Sequence, residues 1–485
     1  MTPAGDRSIN LQPERTQGAG APENNVILVG TAGLALYVTL PGASVPQLYT
    51  EPDSGRVFAI SGMALYELFA GGTASVSYGT LGGGPYSIKS NNVGEMVIAC
   101  GGSGYHFNLA TNVLVPLLSF PGAAGLNGVV QFEFIDDFFL ALNPNSREFQ
   151  NSNSQDGTTW QSLNFQSKSG GPDNVIGFSA SHGELWLLSS RSVELYIDGG
   201  SGTASPFTRL TGVFLETGCA AAQSIVKMDN TLYWLGNDER GAGVVWRANG
   251  YSPQRVSTHS IEAFLRAYAK YDTINDCVAY AEQVDGHSNL VMHFPSATVE
   301  PAATGGWVPN VRQGATWVFD PSTNLWHERA YWNVQNAQWQ AHLARSHCYA
   351  FGRHLVGDYQ SGNVYEMSED NYDDAGQAIR RVRVAPHINE ELTELVYDEL
   401  ELSIDVGQGN AADPDPVCGL RFSKNGGRTY GAQRVRRLGR GGAYNTRVRW
   451  QNCGASRRAG FEFSTMARVP VTLIDAFLRV TEGTS

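Results

Sequence analysis

The chain has 485 residues, a formal net charge of −12, 55 glycines, few charged side chains (16%) and many aromatic ones (11%). The acidic balance argues against a protein that coats nucleic acid generally, without excluding a local basic patch. The Gly- and aromatic-rich mix argues for many short strands with tight turns rather than helices. Six scattered cysteines, Cys100, Cys219, Cys277, Cys348, Cys418 and Cys453, include no C-x-x-C pair, so zinc-ribbon and redox motifs are not indicated and buried thiols are expected. No signal peptide and no apolar run of membrane-spanning length is visible, so synthesis and folding in a cytoplasm are expected.

Residues 1–25 are polar and Pro/Gly-punctuated and read as an N-terminal arm that lies on another surface. From Val26 onward short apolar runs alternate with turns: Gln47–Thr50 and Val57–Ser61 around Pro52-Asp53-Ser54-Gly55, then Ala64–Phe69, Ser75–Leu81, Met96–Ala99, Tyr105–Leu109, Val129–Ile135 and Phe138–Leu142. Later units are Val175–Tyr196, Ser224–Arg255, Asp276–Phe294 with Thr316–Arg329, and His347–Met367. Units of roughly 40–50 residues suit propeller blades of four strands. Only this rhythm repeats, so an array of sandwiches is the alternative. Pro295–Asn310 reads as an inserted loop.

The stretch Pro206–Glu262 carries the densest signals. Leu232–Leu235 and Gly243–Arg247 are strand runs, and Asn249-Gly250 is a tight turn. A helix starts near Ser257 or Thr258, with Ile261, Phe264, Leu265 and Tyr268 on one face and Glu262 in its first turn.

An acidic, Asn/Gly-rich turn around Glu366–Asp374 marks a boundary. The expected organisation is thus all-β: arm 1–25, a β-propeller-like array of short antiparallel strands over 26–375, and an added C-terminal β domain over 376–485, with few short helices. In that last part an acidic stretch, Glu390, Glu391, Glu394, Asp398, Glu399, Glu401 and Asp405, precedes a basic one from Arg421 to Arg458. Arg434, Arg436, Arg437, Arg440, Arg447 and Arg449, together with Glu390, Glu391 and Glu394, are the candidate contacts. They either face DNA phosphates or pair with each other within a sheet or across a subunit boundary, and the second reading carries more weight because aromatic interleaving is thin.

Chemistry-bearing motifs are sparse. Ser423–Tyr430 fits the S-x-[D/N]-x-G-x-T-[W/Y] hairpin turn, and Ser154–Trp160 is a looser copy. Such turns are structural: Asn or Asp bonds its own backbone, Gly takes positive φ and the aromatic ring packs. They also occur in sialidase-like propellers, but no Arg cluster with a Tyr/Glu pair stands out here. His342, His347, Cys348 and His354 suit no standard zinc spacing, and no phosphate loop or nucleophile elbow is present. No catalytic, metal or cofactor residue is assigned.

Taken together, Pro206-Phe207-x-Arg209, Gly218-Cys219, Asp229-Asn230-Thr231, Trp234-Leu235-Gly236, Arg240-Gly241, Val245-Trp246-Arg247 and Pro253–His259 resemble the packaged-DNA stabilisation proteins (tail accessory factor, tail hub or nozzle) of P22-like short-tailed phages. Ser8–Glu14, Asn143-Pro144-Asn145, Asp156–Trp160, Pro172-Asp173-Asn174, Ser423–Tyr430 and Thr446–Trp450 extend the resemblance over nearly the whole chain. The resemblance implies a non-enzymatic component of the virion tail, made in the host cytoplasm, with a propeller and added β elements. It implies a homo-oligomer, a six-fold ring below the portal and its head-to-tail adaptor, extending the channel for double-stranded DNA. It also implies contacts with a tailspike or fibre and a tail needle, and no cofactor or small-molecule substrate. The rival expectations are a propeller glycosidase or depolymerase acting on host surface polysaccharide, and a host-binding module without catalysis.

Overall fold

The computed structural model describes residues 7–15, 26–118, 128–200, 205–237, 243–271, 273–284, 286–297, 299–301, 307–309, 314–386, 388, 390 and 393–483. The all-β expectation holds: short antiparallel strands dominate, with one α-helix among the described residues.

Among the described residues seven units with four main strands each follow one another, the first with an extra two-residue strand, Gly79–Thr80. Blades 1 to 4 run from Gln47 to Ala74, Tyr86 to Pro116, Gln131 to Ser167 and Val175 to Arg209. Blade 5 runs from Val226 to Arg255, and blade 6 from Val278 to Asn333. Blade 7 takes three strands from Ala344–Ser368 and its fourth, Gly33–Thr39, from the start of the chain, with Tyr365 opposite Leu36 and Asn363 opposite Thr39. The innermost strands touch in sequence around a circle, with the turn Ala222–Ser224 bridging blades 4 and 5, and blade 7 meets blade 1. This closed ring is a β-propeller. A separate apolar cluster fills each gap between blades: Phe58, Ile98 and Phe107 between blades 1 and 2, Phe149, Phe178 and Leu187 between 3 and 4, Leu34, Val291 and Val356 between 6 and 7. Alternation within each strand turns apolar residues toward both neighbouring blades, so each blade is stable only between two others.

The helix of the signature stretch, α1 (His259–Tyr271), fills the edge of the blade 5–6 gap. Ile261, Phe264, Leu265 and Tyr268 are all buried there. Thr258 caps it, its Oγ1 accepting from Ile261 N at 3.4 Å. Part of the inserted loop forms a small ladder, Val299–Pro301 with Trp307–Pro309, lying against α1.

The second domain is a sandwich of two five-stranded sheets. One holds Leu11–Arg15, Val26–Gly30, Thr472–Glu482, Leu395–Ile404 and Val448–Ser456; the other holds Arg7–Ile9, Arg381–Val384, Gly460–Thr465, Val417–Ser423 and Arg434–Arg437. Trp450, Tyr397, Phe461 and Leu420 form the core between them. Two expectations change here. Residues 7–15, read as an arm, are sandwich strands. Val26–Gly30, read as the first propeller run, pairs with Leu11–Arg15 and Thr472–Leu473. The propeller is therefore inserted between the first and last strands of the sandwich. The two domains also share a sheet, since Ile9 pairs in parallel with Glu328 of blade 6.

Candidate functional site

The structure separates the candidate arginines into three groups. Arg434 and Arg436 stand at the side of the sandwich. Arg434 donates from Nη1 to Asn452 O at 3.2 Å and from Nη2 to Gln451 O at 2.5 Å, and Arg436 Nε donates to Arg449 O at 2.8 Å. They cover the free carbonyl edge of Val448–Ser456, as protected edge strands require. Trp450 Nε1 returns a bond to Arg434 O at 2.7 Å. Arg447 and Arg449 face Glu401 and Glu399 on the outer sheet face. Arg447 Nε donates to Glu401 Oε1 at 2.7 Å, and Arg449 and Arg479 lie 3.9 and 4.0 Å from Glu399. The Arg447 guanidinium holds the Glu401 carboxyl below the usual carboxylate range. Arg437 and Arg440 share Asp415 at 3.2 and 3.9 Å on an exposed loop.

Of the acidic candidates, Glu390 and Glu394 do not join these groups. Glu390 is exposed and its carbonyl closes a turn with Thr393 N. The Glu394 carbonyl accepts from Gly483 N. Glu391 lies outside the described residues, as do Asp238, Glu239 and Arg240 of the signature turn. Four cations of the basic stretch that composition did not single out, Lys424, Arg428, Arg457 and Arg458, are exposed on two adjacent turns.

Those turns are built on the Ser423–Tyr430 motif. Ser423 Oγ accepts from Gly427 N at 2.8 Å, Asn425 Oδ1 accepts from Thr429 N at 2.9 Å, and Gly426 and Gly427 take φ of 68° and 82°. Arg421 stacks over the Tyr430 ring. The looser copy works likewise: Asp156 accepts from Thr158 N at 2.8 Å, and the buried Trp160 donates to Gly157 O. The Pro172-Asp173-Asn174 signature is also structural, with Asp173 engaged by Lys168, Ser192 Oγ and Arg191 N. In blade 5 the Asp229-Asn230 turn has φ of 47° and 59°, the geometry of a tight hairpin. Trp234 stands opposite Trp246, and a Cβ at Gly236 would sit 2.3 Å from the Trp246 ring.

The propeller axis is obstructed at one end. The turn Ala222–Ser224 leads into blade 5 and touches the inner strands of blades 4 and 6, and Gln223 Nε2 donates across the axis to Tyr86 O of blade 2 at 3.2 Å. Beside it opens a cavity of about 700 Å³ lined by Met63, Tyr86, Gln223, Asp276 and Arg345.

Buried charge concentrates where blades 6 and 7 meet the sandwich. Glu282 and Arg329 form an ion pair at 2.6 Å, both buried. Burial pushes the Glu282 carboxyl up, but Arg329 outweighs it and holds the group low. His293 and His342 are pushed down to about 3 and His347 to about 4 by burial. Burial drives the Asp374 carboxyl up to about 7, against the pull of Arg381. His347 Nε2 lies 3.0 Å from His354 Nδ1. Among the described residues no three His, Cys, Asp or Glu side chains converge as a metal site would require.

No curated protein matches the chain. Three solved structures resemble it in part: the computationally designed Ika8 protein (12% identity, TM-score 0.37), the N-terminal domain of Nup159 (9%, 0.42), and an S. cerevisiae complex of dbp5 bound to nup159 (9%, 0.41). Each covers 75% of this chain and 99% of its own, and at these scores none carries weight. Two family models match instead: "Bacteriophage P22 Gp10, beta-propeller" over residues 9–307 and "Bacteriophage P22 Gp10, beta-sandwich" over residues 380–481. They follow in order along the chain and cover most of it, and the chain therefore belongs to the bacteriophage P22 Gp10 family of phage tail structural proteins that stabilise packaged DNA.

Proposed function

We propose that this chain is the tail hub, or nozzle, of a short-tailed phage. Copies close into a ring, expected to be six-fold, that extends the portal channel, retains the packaged genome until ejection and carries the tailspike and needle. The observation that carries the reading is the match of both domains, in order, to the Gp10 models. The architecture suits the task. A heterologous interface with the right rotation closes a ring, and a ring binds the adaptor above it multivalently. A propeller closed by its own first strand, sharing a sheet with the sandwich, gives a stiff subunit. Because the turn at Ala222–Ser224 obstructs the propeller axis, DNA passes between subunits and not through any one of them.

Virions assembled without this chain test the reading. Packaged heads are expected to lose their DNA, and heads that kept it and infected normally would overturn the role. No finding supports the alternative of a polysaccharide-cleaving enzyme.

A further inference from the structure

We infer that the turns 423–430 and 456–459 form the surface with which this chain holds double-stranded DNA, by its phosphates. The inference rests on the tail-hub reading and adds the contact surface. Lys424, Arg428, Arg457 and Arg458 are all exposed, and among the described residues none of their side chains makes a hydrogen bond or an ion pair. The two turns are bound to each other: Gly426 N donates to Arg458 O at 2.9 Å, and Ser456 Oγ donates to Lys424 O at 2.8 Å. Four cations thus project from one rigid double turn.

The contrast with the rest of the basic stretch is what points to a ligand. Arg434 and Arg436 are spent on backbone carbonyls, Arg437 and Arg440 lie on Asp415, Arg447 and Arg449 on Glu401 and Glu399, and Arg421 on Glu462. Glu390, beyond the Ile388–Ala459 bridge that borders the double turn, forms no ion pair with the four cations. On a chain of net charge −12, compensation was available and was used everywhere nearby.

The chemistry favours phosphate over a protein partner. A protein interface has an apolar centre with a polar rim. The large exposed apolar side chains of the sandwich, among them Val435, Tyr444 and Phe477, lie elsewhere, and none is on these two turns. Clustered guanidinium and ammonium groups without apolar surface match a sequence-independent phosphate backbone, where release of counterions drives binding.

The test is binding of the purified full chain to a short mixed-sequence DNA duplex, followed by fluorescence anisotropy between about 50 and about 200 mM salt. Wild type is expected to bind with an affinity that falls steeply with salt. The combined variant Lys424→Gln, Arg428→Gln, Arg457→Gln, Arg458→Gln is expected to flatten the log–log slope by about 0.9 for each phosphate it no longer neutralises. Arg437→Gln with Arg440→Gln serves as the control and leaves the slope unchanged. Should the fourfold variant fold poorly, the pairs K424Q/R428Q and R457Q/R458Q each give about half the change. No binding by wild type, an unchanged slope in the variants, or unchanged DNA binding with failed ring assembly would each overturn the inference. The last outcome would make the double turn a protein contact. Each of these leaves the tail-hub reading standing, because that reading fails only if virions lacking the chain retain their genome.

Discussion

Asn10 is bonded to both the amide and the carbonyl of Ala330: its Nδ2 donates to Ala330 O at 2.7 Å while its Oδ1 accepts from Ala330 N at 2.9 Å. The same Nδ2 donates to Arg380 O at 2.9 Å. One buried amide thus ties the first strands of the sandwich to blade 6 and to the strand that leaves the propeller. Its φ of 55° is one that Asn adopts more readily than most residues. Asn10→Gly keeps the backbone geometry and removes all three bonds, leaving buried polar groups unpaired. The expected cost is about 2–4 kcal/mol in chemical denaturation. A loss under about 0.5 kcal/mol would show that water replaces the amide there.

The Glu282–Arg329 pair predicts non-additivity. Glu282→Leu or Arg329→Met alone leaves one charge buried without its partner, at a cost of about 3–5 kcal/mol. Replacing both restores most of the stability. A double-mutant cycle by urea unfolding checks this, and additive losses would refute it.

Acid stability should be set by the buried histidines. His293, His342 and His347 lie well below their ordinary value of 6.5, so the unfolded chain binds protons there that the folded chain does not. Their contribution is complete above about pH 6.5 and is lost as pH falls toward 4, at about 1.4 kcal/mol per pH unit for each proton. Asp374 acts in the opposite sense. Raised to about 7 from 3.8, it keeps its proton in the folded state where the unfolded chain has released it, so it lowers stability as pH rises from about 4 to 7. His347→Gln is therefore expected to flatten the acid limb. The gain from Asp374→Asn over wild type should grow across that window and level off above it. Urea midpoints at a series of pH values read both, and parallel curves would contradict the assignment.

Arg434 and Arg436 predict an aggregation phenotype. Converting both to Ala uncovers the carbonyls of Arg449, Gln451 and Asn452. At these partly exposed positions the expected loss is about 1 kcal/mol or less per bond. The clearer signature is concentration-dependent light scattering as the open edge pairs with other chains. Arg437→Ala with Arg440→Ala, which touches only exposed pairs on Asp415, should change neither quantity. Charge reversal at Arg434, Arg436 and Arg437 together would therefore mix a folding defect with any assembly defect.

Local structure is legible where a residue settles its own conformation. Asp229-Asn230 makes its hairpin, Thr258 caps its helix, and the Ser423–Tyr430 motif closes its turn, because each rests on contacts a few residues away. Ser75–Leu81 is less obedient: it yields only the two-residue strand Gly79–Thr80, with Val76 turned out to solvent. Partners across hundreds of residues are not legible. The apolar runs Val26–Gly30 and Gly33–Thr39 read as strands, but such a run carries no information on which strand lies beside it. Two residues, Thr31 and Ala32, separate a sandwich strand from a propeller strand, and both runs read as β. The basic stretch misleads for a related reason. A charge count cannot distinguish an arginine that points at a backbone carbonyl, such as Arg436, from one that points at water, such as Arg458.

The first strands of the chain complete both domains from the far end. Gly33–Thr39 must wait for Asn363–Ser368, and Val26–Gly30 for Thr472–Glu482. Neither domain can close before its distant partner strand is made, and contacts this distant in sequence fold slowly. Once closed, residues 7–9, 11–15 and 472–482 are all sandwich strands, so tension applied through any of them works against the hydrogen-bond ladders of a sheet.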